Sequence, residues 1–242
     1  MKPVIVVDPP RADPAVVAEL GQLGVATVHE AAGKTGLLGS TLRPTWAGAR
    51  AAGSAVTVLC GPGDNLMVHA AVEQAGPGDL LVVTTTSPSS DGFIGELIVT
   101  SLAARGVTGL VTTTGVRDVA AITGAAFPVW SQHVSAQGTG KATAGCVNTP
   151  VVIGGVVVHP GDAVVADDDG VACIPRARAA DVAAAGRRRV QREDESRAAF
   201  ARGELGLDRY GLRPVLDQLG VSYVRAGPGG QQPGQQQPGE QP

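Results

Sequence analysis

Two runs of the chain, 79–85 (DLLVVTT) and 107–113 (VTGLVTT), have strand length and are apolar or β-branched at nearly every position. A strand with one wet face alternates apolar and polar residues. A run that does not alternate belongs to a strand covered on both faces, as in an α/β layer structure. Residues 95–105, between the two runs, read as a helix, and the order strand, helix, strand predicts a parallel sheet. The rhythm extends in both directions. A strand is expected at 54–60 (SAVTVLC), a turn at Gly61-Pro62-Gly63-Asp64-Asn65, and a helix at 65–75 that Gly76-Pro77-Gly78 stops. A short helix follows Arg117, and a strand follows at 127–131 (FPVWS). Two helices, 13–23 and 26–33, come first, with Asp13 and Thr27 as their expected caps.

After residue 150 the pattern changes. PVVIGGVVVHPGDAVVADDDGVACIP holds three short β runs separated by Gly, Pro and Asp turns, with no helix between them. A β-rich second layer closing the same domain is the natural reading. Residues 177–203, rich in Ala, Arg and Glu, read as one long helix. Its polar faces are wide for a helix packed only on its own subunit, which suits an arm reaching a neighbouring one. From Ala226 the sequence GPGGQQPGQQQPGEQP has almost nothing to bury, so disorder is expected there. The expected division is an α/β catalytic domain over 1–176, a helical arm over 177–225 and a tail over 226–242.

Composition removes several function classes. The net charge is −3, aromatic residues are 3% of the chain, and the basic block that stands out is Arg187-Arg188-Arg189. A nucleic-acid partner, which needs basic stripes and stacking platforms, is not expected. Cys60, Cys146 and Cys173 are odd in number and widely spaced, which argues for free thiols in a reducing compartment rather than disulfides or a zinc site. No apolar stretch approaches membrane-spanning length, and the start MKPVIVVDPPRADP is too short in apolar residues for a signal peptide. A cytoplasmic protein without a membrane partner is the expectation.

Several motifs carry no chemistry on inspection. His29, His69, His133 and His159 form no HxH, HxxxH or HExxH pattern and read as structural or surface residues, with lining a pocket as the alternative for His69, in the helix after Asp64-Asn65. Gly61-Pro62-Gly63 is not followed by Gly-Lys-Ser/Thr and is no phosphate loop. Ser131 and Ser135 lack the G-x-S-x-G setting of a hydrolase nucleophile. Asp167-Asp168-Asp169-Gly170 resembles a calcium loop, lacks the glutamate such a loop needs, and reads as a tight β-turn.

The residues that can carry chemistry sit at two strand-to-helix junctions. At Gly95-Glu96-Leu97-Ile98, helix-start N–H groups can hold a carboxylate, and Gly92 and Gly95 let it approach the backbone. The bland alternative is that Glu96 merely favours the helix dipole. At Gly115-Val116-Arg117-Asp118, Arg117 offers a cation that does not titrate away, and Asp118 an oxygen ligand for Mg2+ or Mn2+. The bland alternative there is a helix-start Asp with a surface Arg. In α/β sheets ligands gather at the carboxyl ends of strands, where both junctions fall.

These segments, with GVATVHEA (24–31), GPGDNLMVHAA (61–71), GFIGELIVTSLAARGV (92–107), GVRDVA (115–120), SAQGT (135–139), VNTPVVIGG (147–155), HPGDAVVADDDGV (159–171) and GELGLDRYGLRPVL (203–216), make the chain resemble a known family. It is similar, over residues 15–224, to class II pyruvate aldolases acting on 4-hydroxy-4-methyl-2-oxoglutarate and 4-carboxy-4-hydroxy-2-oxoadipate. Those enzymes share a fold with the regulator of ribonuclease activity A. The resemblance implies a layered α/β, swivelling-domain-like fold with a long C-terminal helix, in trimers or hexamers. It implies pyruvate's carboxylate on the main chain of Gly95 to Ile98 (Gly95, Glu96, Leu97, Ile98), and Arg117 on the enolate oxygen. It implies Asp118 as ligand of Mg2+ or Mn2+, and Glu96 holding a metal-bound water. Glu193 from a neighbouring subunit would hold another, with Glu195 as the fallback. It further implies oxaloacetate decarboxylation through the same enolate. Two positions depart from the pattern: Ala121 stands where the family often has an acid, and Thr113-Thr114 where it often has Asp-Gly. A substrate other than those two, or another lyase or hydrolase reaction, stays open for that reason, as does a non-catalytic regulator binding a ribonuclease.

Overall fold

The computed structural model describes residues 2–225. In chain order the elements begin with β1 (Val4–Ile5), α1 (Pro14–Leu23), α2 (Val25–Ala31), β2 (Arg43–Pro44), β3 (Ala51–Cys60), α3 (Leu66–Gln74) and β4 (Asp79–Thr85). Next come β5 (Gly92–Ile94), α4 (Glu96–Ala104), β6 (Gly109–Val116), α5 (Val119–Gly124), β7 (Val129–Val134) and β8 (Cys146–Val147). The hairpin strands β9 (Val151–Ile153) and β10 (Val156–Val158), then β11 (Ala163–Asp167) and β12 (Gly170–Ile174), follow. Helices α6 (Ala179–Ala201), α7 (Gly206–Arg209) and α8 (Arg213–Gln218) come last.

The non-alternating runs form the centre of a mixed α/β sheet of order β1-β8-β3-β4-β6-β7-β2, in which β3, β4, β6 and β7 are parallel. Register aligns Thr57, Val82, Val111 and Trp130 across these four strands, and all four are fully buried. Both faces are covered, as the lack of alternation requires. On one face Val58, Leu81, Val83 and Leu110 pack with Val68, Val99 and Ile122 of α3, α4 and α5. On the other, Leu80, Val82, Val111 and Trp130 meet Val151, Ile153 and Val158 of the β9–β10 hairpin, the expected β-rich layer.

Where boundaries differ from expectation, a distant partner is the cause. β3 begins at Ala51 because residues 51–54 pair with β11, more than a hundred positions away. The second helix starts at Val25, not near Thr27, because the Asp167 carboxylate accepts the Val25 N–H at 2.8 Å. β7 starts after Pro128, which lacks an N–H for the ladder; its carbonyl instead accepts from Leu110 at 3.0 Å. The region after residue 150 holds four strands rather than three, and Asp168-Asp169 forms the tight turn between β11 and β12.

The compact core continues past residue 176 to Gln191; a second compact unit begins at Arg192. Ala179, Val182 and Ala183 of α6 are buried with Val17, Leu20 and Ile174. A Cβ on Gly186 would lie 2.6 Å from Leu23 Cδ1, so α6 packs closely on the Leu23 side chain of α1. The three cysteines are free and buried, and burial pushes the Cys60 thiol up to about 12. Among the described residues no helix is long and apolar enough to cross a membrane. The tail over 226–242 lies outside the described residues.

Candidate active site

β5 and β6 pair in parallel, Gly92 with Gly115 and Ile94 with Val116. Their chain ends, and so the two junctions, therefore lie side by side at the carboxyl edge of the sheet. The Arg117 N–H donates to the Ile94 carbonyl at 2.8 Å and locks one junction to the other. Asp118, at the N-cap of α5, takes a left-handed backbone (φ 57°, ψ 34°). Its Oδ2 accepts the Glu96 N–H at 3.2 Å and lies 3.9 Å from Arg117 Nε. Both side chains are about half exposed, at 47% and 49%. Neither is sealed in the interior, so both remain available to a ligand.

Gly95 makes this convergence possible. Its φ of −134° is open to any residue, so conformation does not demand glycine. Space does: a Cβ would sit 2.7 Å from Asp118 Oδ2 and 3.1 Å from Arg117 Nε. In the first turn of α4, Ile98 and Val99 donate to the Gly95 carbonyl and Glu96 donates to Asp118. Leu97 is thus the first-turn residue whose N–H, among the described residues, finds no protein acceptor, which leaves it for an anion. Its side chain is 81% exposed and contributes little else. The Glu96 carboxylate accepts from Thr100 Oγ1 at 2.9 Å, one turn along the helix.

A cavity of about 140 Å³ opens here, lined in part by Gly95, Ile98, Arg117 and Asp118. Its remaining wall comes from Asn65, His69, Phe93, Leu97 and Lys141. His69 lines it, the alternative to the structural or surface role expected of the histidines; Asn65 and Lys141 are additions. Asn65 is 5% exposed, donates from Nδ2 to the Phe93 carbonyl at 2.8 Å, and leaves Oδ1 without a partner. Lys141 is brought in by Asp64, a buried acid whose Oδ2 accepts the N–H groups of Ala142 (2.7 Å) and Thr143 (3.0 Å) while Oδ1 accepts that of Leu66 (3.0 Å). Burial opposes the charge on Asp64, but those donors outweigh it and hold the carboxyl below its ordinary range. On the other flank Gly140 bonds both ways, accepting from Asn65 at 3.0 Å and donating to Gly63 at 2.8 Å. Burial, then the nearby Lys141 charge, lower the pKa of His69. No pattern in the 138–143 segment announces this; only the long-range bonds to Asp64 reveal it.

Six of the expected site residues, Gly95, Glu96, Leu97, Ile98, Arg117 and Asp118, are therefore neighbours. Glu193 and Glu195 lie on α6 in the second unit. Ala121 lines a broad open depression beside Glu96 and Asp118, where the departure from the family pattern leaves a methyl. Thr113 Oγ1 pairs with Thr84 Oγ1 at 2.9 Å. Among the described residues no three His, Cys, Asp or Glu side chains converge on a metal position. Asp118 and Glu96 supply hard oxygen donors, and Gly95 keeps the space beside Asp118 open. That set fits Mg2+ or Mn2+, which take oxygen ligands and retain waters.

A family model described as RraA-like (Aldolase/RraA) matches residues 25–173. A protein of Halalkalibacterium halodurans, named "Putative 4-hydroxy-4-methyl-2-oxoglutarate aldolase", is 31% identical over 160 residues, covering 66% of this chain and 76% of that protein. A Burkholderia multivorans protein of the same name is 34% identical over 141 residues, covering 58% of this chain and 85% of its own length. Among solved structures, Streptomyces coelicolor RraAS2, described as an unusual member of the RNase ES inhibitor RraA protein family, superposes with a TM-score of 0.71. It is 26% identical and covers 78% of this chain and 99% of its own. An uncharacterized protein from Pseudomonas syringae shares the fold at 24% identity, with a TM-score of 0.72 over 81% of this chain and 97% of its own.

Proposed function

Because the chain belongs to the RraA-like (Aldolase/RraA) family, we propose that it is a divalent-metal-dependent lyase. It cleaves a 4-hydroxy-2-oxo di- or tricarboxylic acid by a retro-aldol reaction that releases pyruvate. The observation that carries this reading is the convergence of Arg117 and Asp118 on the Gly95-Glu96 turn, in a chain whose relatives are named as aldolases.

The chemistry needs a base for the C4 hydroxyl proton and a sink for the electrons of the breaking C3–C4 bond. In this reading the Leu97 N–H receives the substrate carboxylate at the start of α4. The Arg117 guanidinium stands at the C2 oxygen, where negative charge grows as the enolate forms and where a fixed cation is worth most. The carboxylate of Glu96, acting through a water, accepts the hydroxyl proton, and the proton returns to C3 to give pyruvate. Asp118 would hold Mg2+ or Mn2+, with Glu96 and a neighbouring subunit's Glu193 holding its waters, and the metal would supply Lewis-acid polarisation of the oxo group. Oxaloacetate, losing carbon dioxide through the same enolate, is a second substrate. The protein works in the cytoplasm as a homotrimer or homohexamer, without a nucleic-acid or membrane partner.

A lactate-dehydrogenase-coupled assay with 4-hydroxy-4-methyl-2-oxoglutarate and oxaloacetate, with and without EDTA, tests this directly. Pyruvate release that EDTA abolishes and Mg2+ or Mn2+ restores is the expected result. Release from neither substrate sinks the substrate reading, and release indifferent to EDTA sinks the metal. Size-exclusion chromatography with light scattering tests the trimer or hexamer. The likeness to the Streptomyces structure favours one second reading, a non-catalytic ribonuclease-binding role. Tight capture of a ribonuclease by a chain that releases no pyruvate would favour it. A same-fold lyase or hydrolase with another substrate is the reading that Ala121 and Thr113 support.

A further inference from the structure

The cavity lined by Arg117, Asp118 and Lys141 has two cations and one carboxylate. Arg117 and Asp118 face each other at 3.9 Å, so each already has an opposite charge. Lys141 does not: among the described residues it makes no ion pair. Its main chain is nonetheless held on both flanks, by the Gly140 bonds to Gly63 and Asn65 and by the Asp64 carboxylate on Ala142 and Thr143. Its side chain is exposed and so can be reached by a ligand, and the anchored main chain fixes where its stem leaves the loop, which reduces the entropy lost on binding.

We propose that Lys141 is a specificity-determining residue that receives a second carboxylate, borne on C4 of the substrate, and so selects 2-oxo diacids over 2-oxo monoacids. This rests on the pyruvate-releasing reading for the orientation of the substrate. The carboxylate next to the oxo group goes to the Leu97 N–H, and the oxo oxygen to Arg117. The cation left uncompensated in the cavity is Lys141, and its natural counterpart is an anion at the far end of the substrate. A compact ammonium on a flexible stem suits a carboxylate whose position shifts with the other C4 substituents. His69 lines the same cavity, and burial first and then the Lys141 charge lower its pKa.

Calorimetric titration of the full chain in Mg2+ tests the assignment without turnover, using 2-oxoglutarate against 2-oxopentanoate. Neither has a 4-hydroxyl to deprotonate, and they differ by one carboxylate. The wild type is expected to prefer the diacid by about 10- to 100-fold, the usual worth of a charge-assisted contact. Lys141→Met abolishes that preference and Lys141→Arg keeps most of it. Equal binding of both acids by the wild type, or an intact preference in Lys141→Met, overturns the proposal. Because the readout is a ratio within each variant, general damage to the site cancels. A diacid preference that depends on Lys141 in a protein that releases no pyruvate sinks the cleavage reading alone. Pyruvate release without the preference sinks the role of Lys141 alone.

Discussion

The Asp118 carboxylate accepts the main-chain N–H of Glu96 at 3.2 Å, across 22 residues of sequence. That bond joins two strand-to-helix junctions through one acid, and it depends on the left-handed backbone at Asp118. Asp and Asn visit that conformation more readily than other residues with a Cβ. Asp118→Asn therefore keeps both the backbone and an acceptor for Glu96 and removes only the charge. We expect its melting temperature to stay within a few degrees of wild type while pyruvate release falls by about 10²- to 10³-fold, the usual cost of one electrostatic group at a reacting centre. Asp118→Ala should in addition lose roughly 1–3 kcal/mol of stability from backbone strain. Wild-type turnover in Asp118→Asn would remove the carboxylate from the mechanism.

Gly95 and Gly92 are both crowded, but by different things. A Cβ at Gly95 meets the functional ends of Asp118 and Arg117, at 2.7 and 3.1 Å. A Cβ at Gly92 meets the Ser135 carbonyl at 2.4 Å, which is backbone and cannot swing away. Gly95→Ala is expected to displace the two side chains and cost most of the activity with little change in stability. Gly92→Ala should be the reverse in emphasis, losing about 1–3 kcal/mol through overpacking. Chemical denaturation and the coupled assay on both variants separate the two cases.

The sheet was legible because its signal is local. The run 79–85 became β4 without a shift, since burial on both faces leaves an unbroken apolar stretch. Strands two or three residues long, such as β1, β2, β5 and β8, carry too few residues for any period to appear. The cap of α2 was illegible for another reason: its acceptor, Asp167, lies 142 residues away. The site divides the same way. Arg117, Asp118 and Glu96 stand out because helix starts have recognisable chemistry. Asn65 and Lys141 do not, because nothing near residue 141 says that Asp64 will hold its neighbours.

His69 offers a direct view of the Lys141 charge. Burial and then that charge disfavour the imidazolium, so its pKa lies below the ordinary value. Lys141→Met removes the second cause and leaves the first. Two-dimensional NMR titration should show the His69 pKa rising in Lys141→Met while remaining depressed, and staying at the wild-type value in Lys141→Arg. No movement in Lys141→Met would mean that the ammonium is turned away from the cavity in solution.

Asp64 links the same loop to acid stability. Burial raises its pKa, the N–H donors of Ala142, Leu66 and Thr143 lower it, and the donors prevail. A carboxyl whose folded pKa lies below its unfolded value stabilises the fold fully above the unfolded value, and that contribution is lost as pH falls through the folded pKa. The window therefore opens near the ordinary 3.8 and runs downward. Asp64→Asn presents an amide in which at most one oxygen can accept, so N–H donors are left without partners. It should cost about 1–3 kcal/mol at neutral pH. The gap between wild type and Asp64→Asn, followed by urea denaturation from neutral pH to below pH 3.8, should be constant at first and then close. Asp208, also lowered by its bond to Arg213, titrates in both proteins and cancels in the difference. A gap that holds constant below the window would show that the Asp64 charge plays no part, and that hydrogen-bond shape alone keeps Lys141 at the cavity.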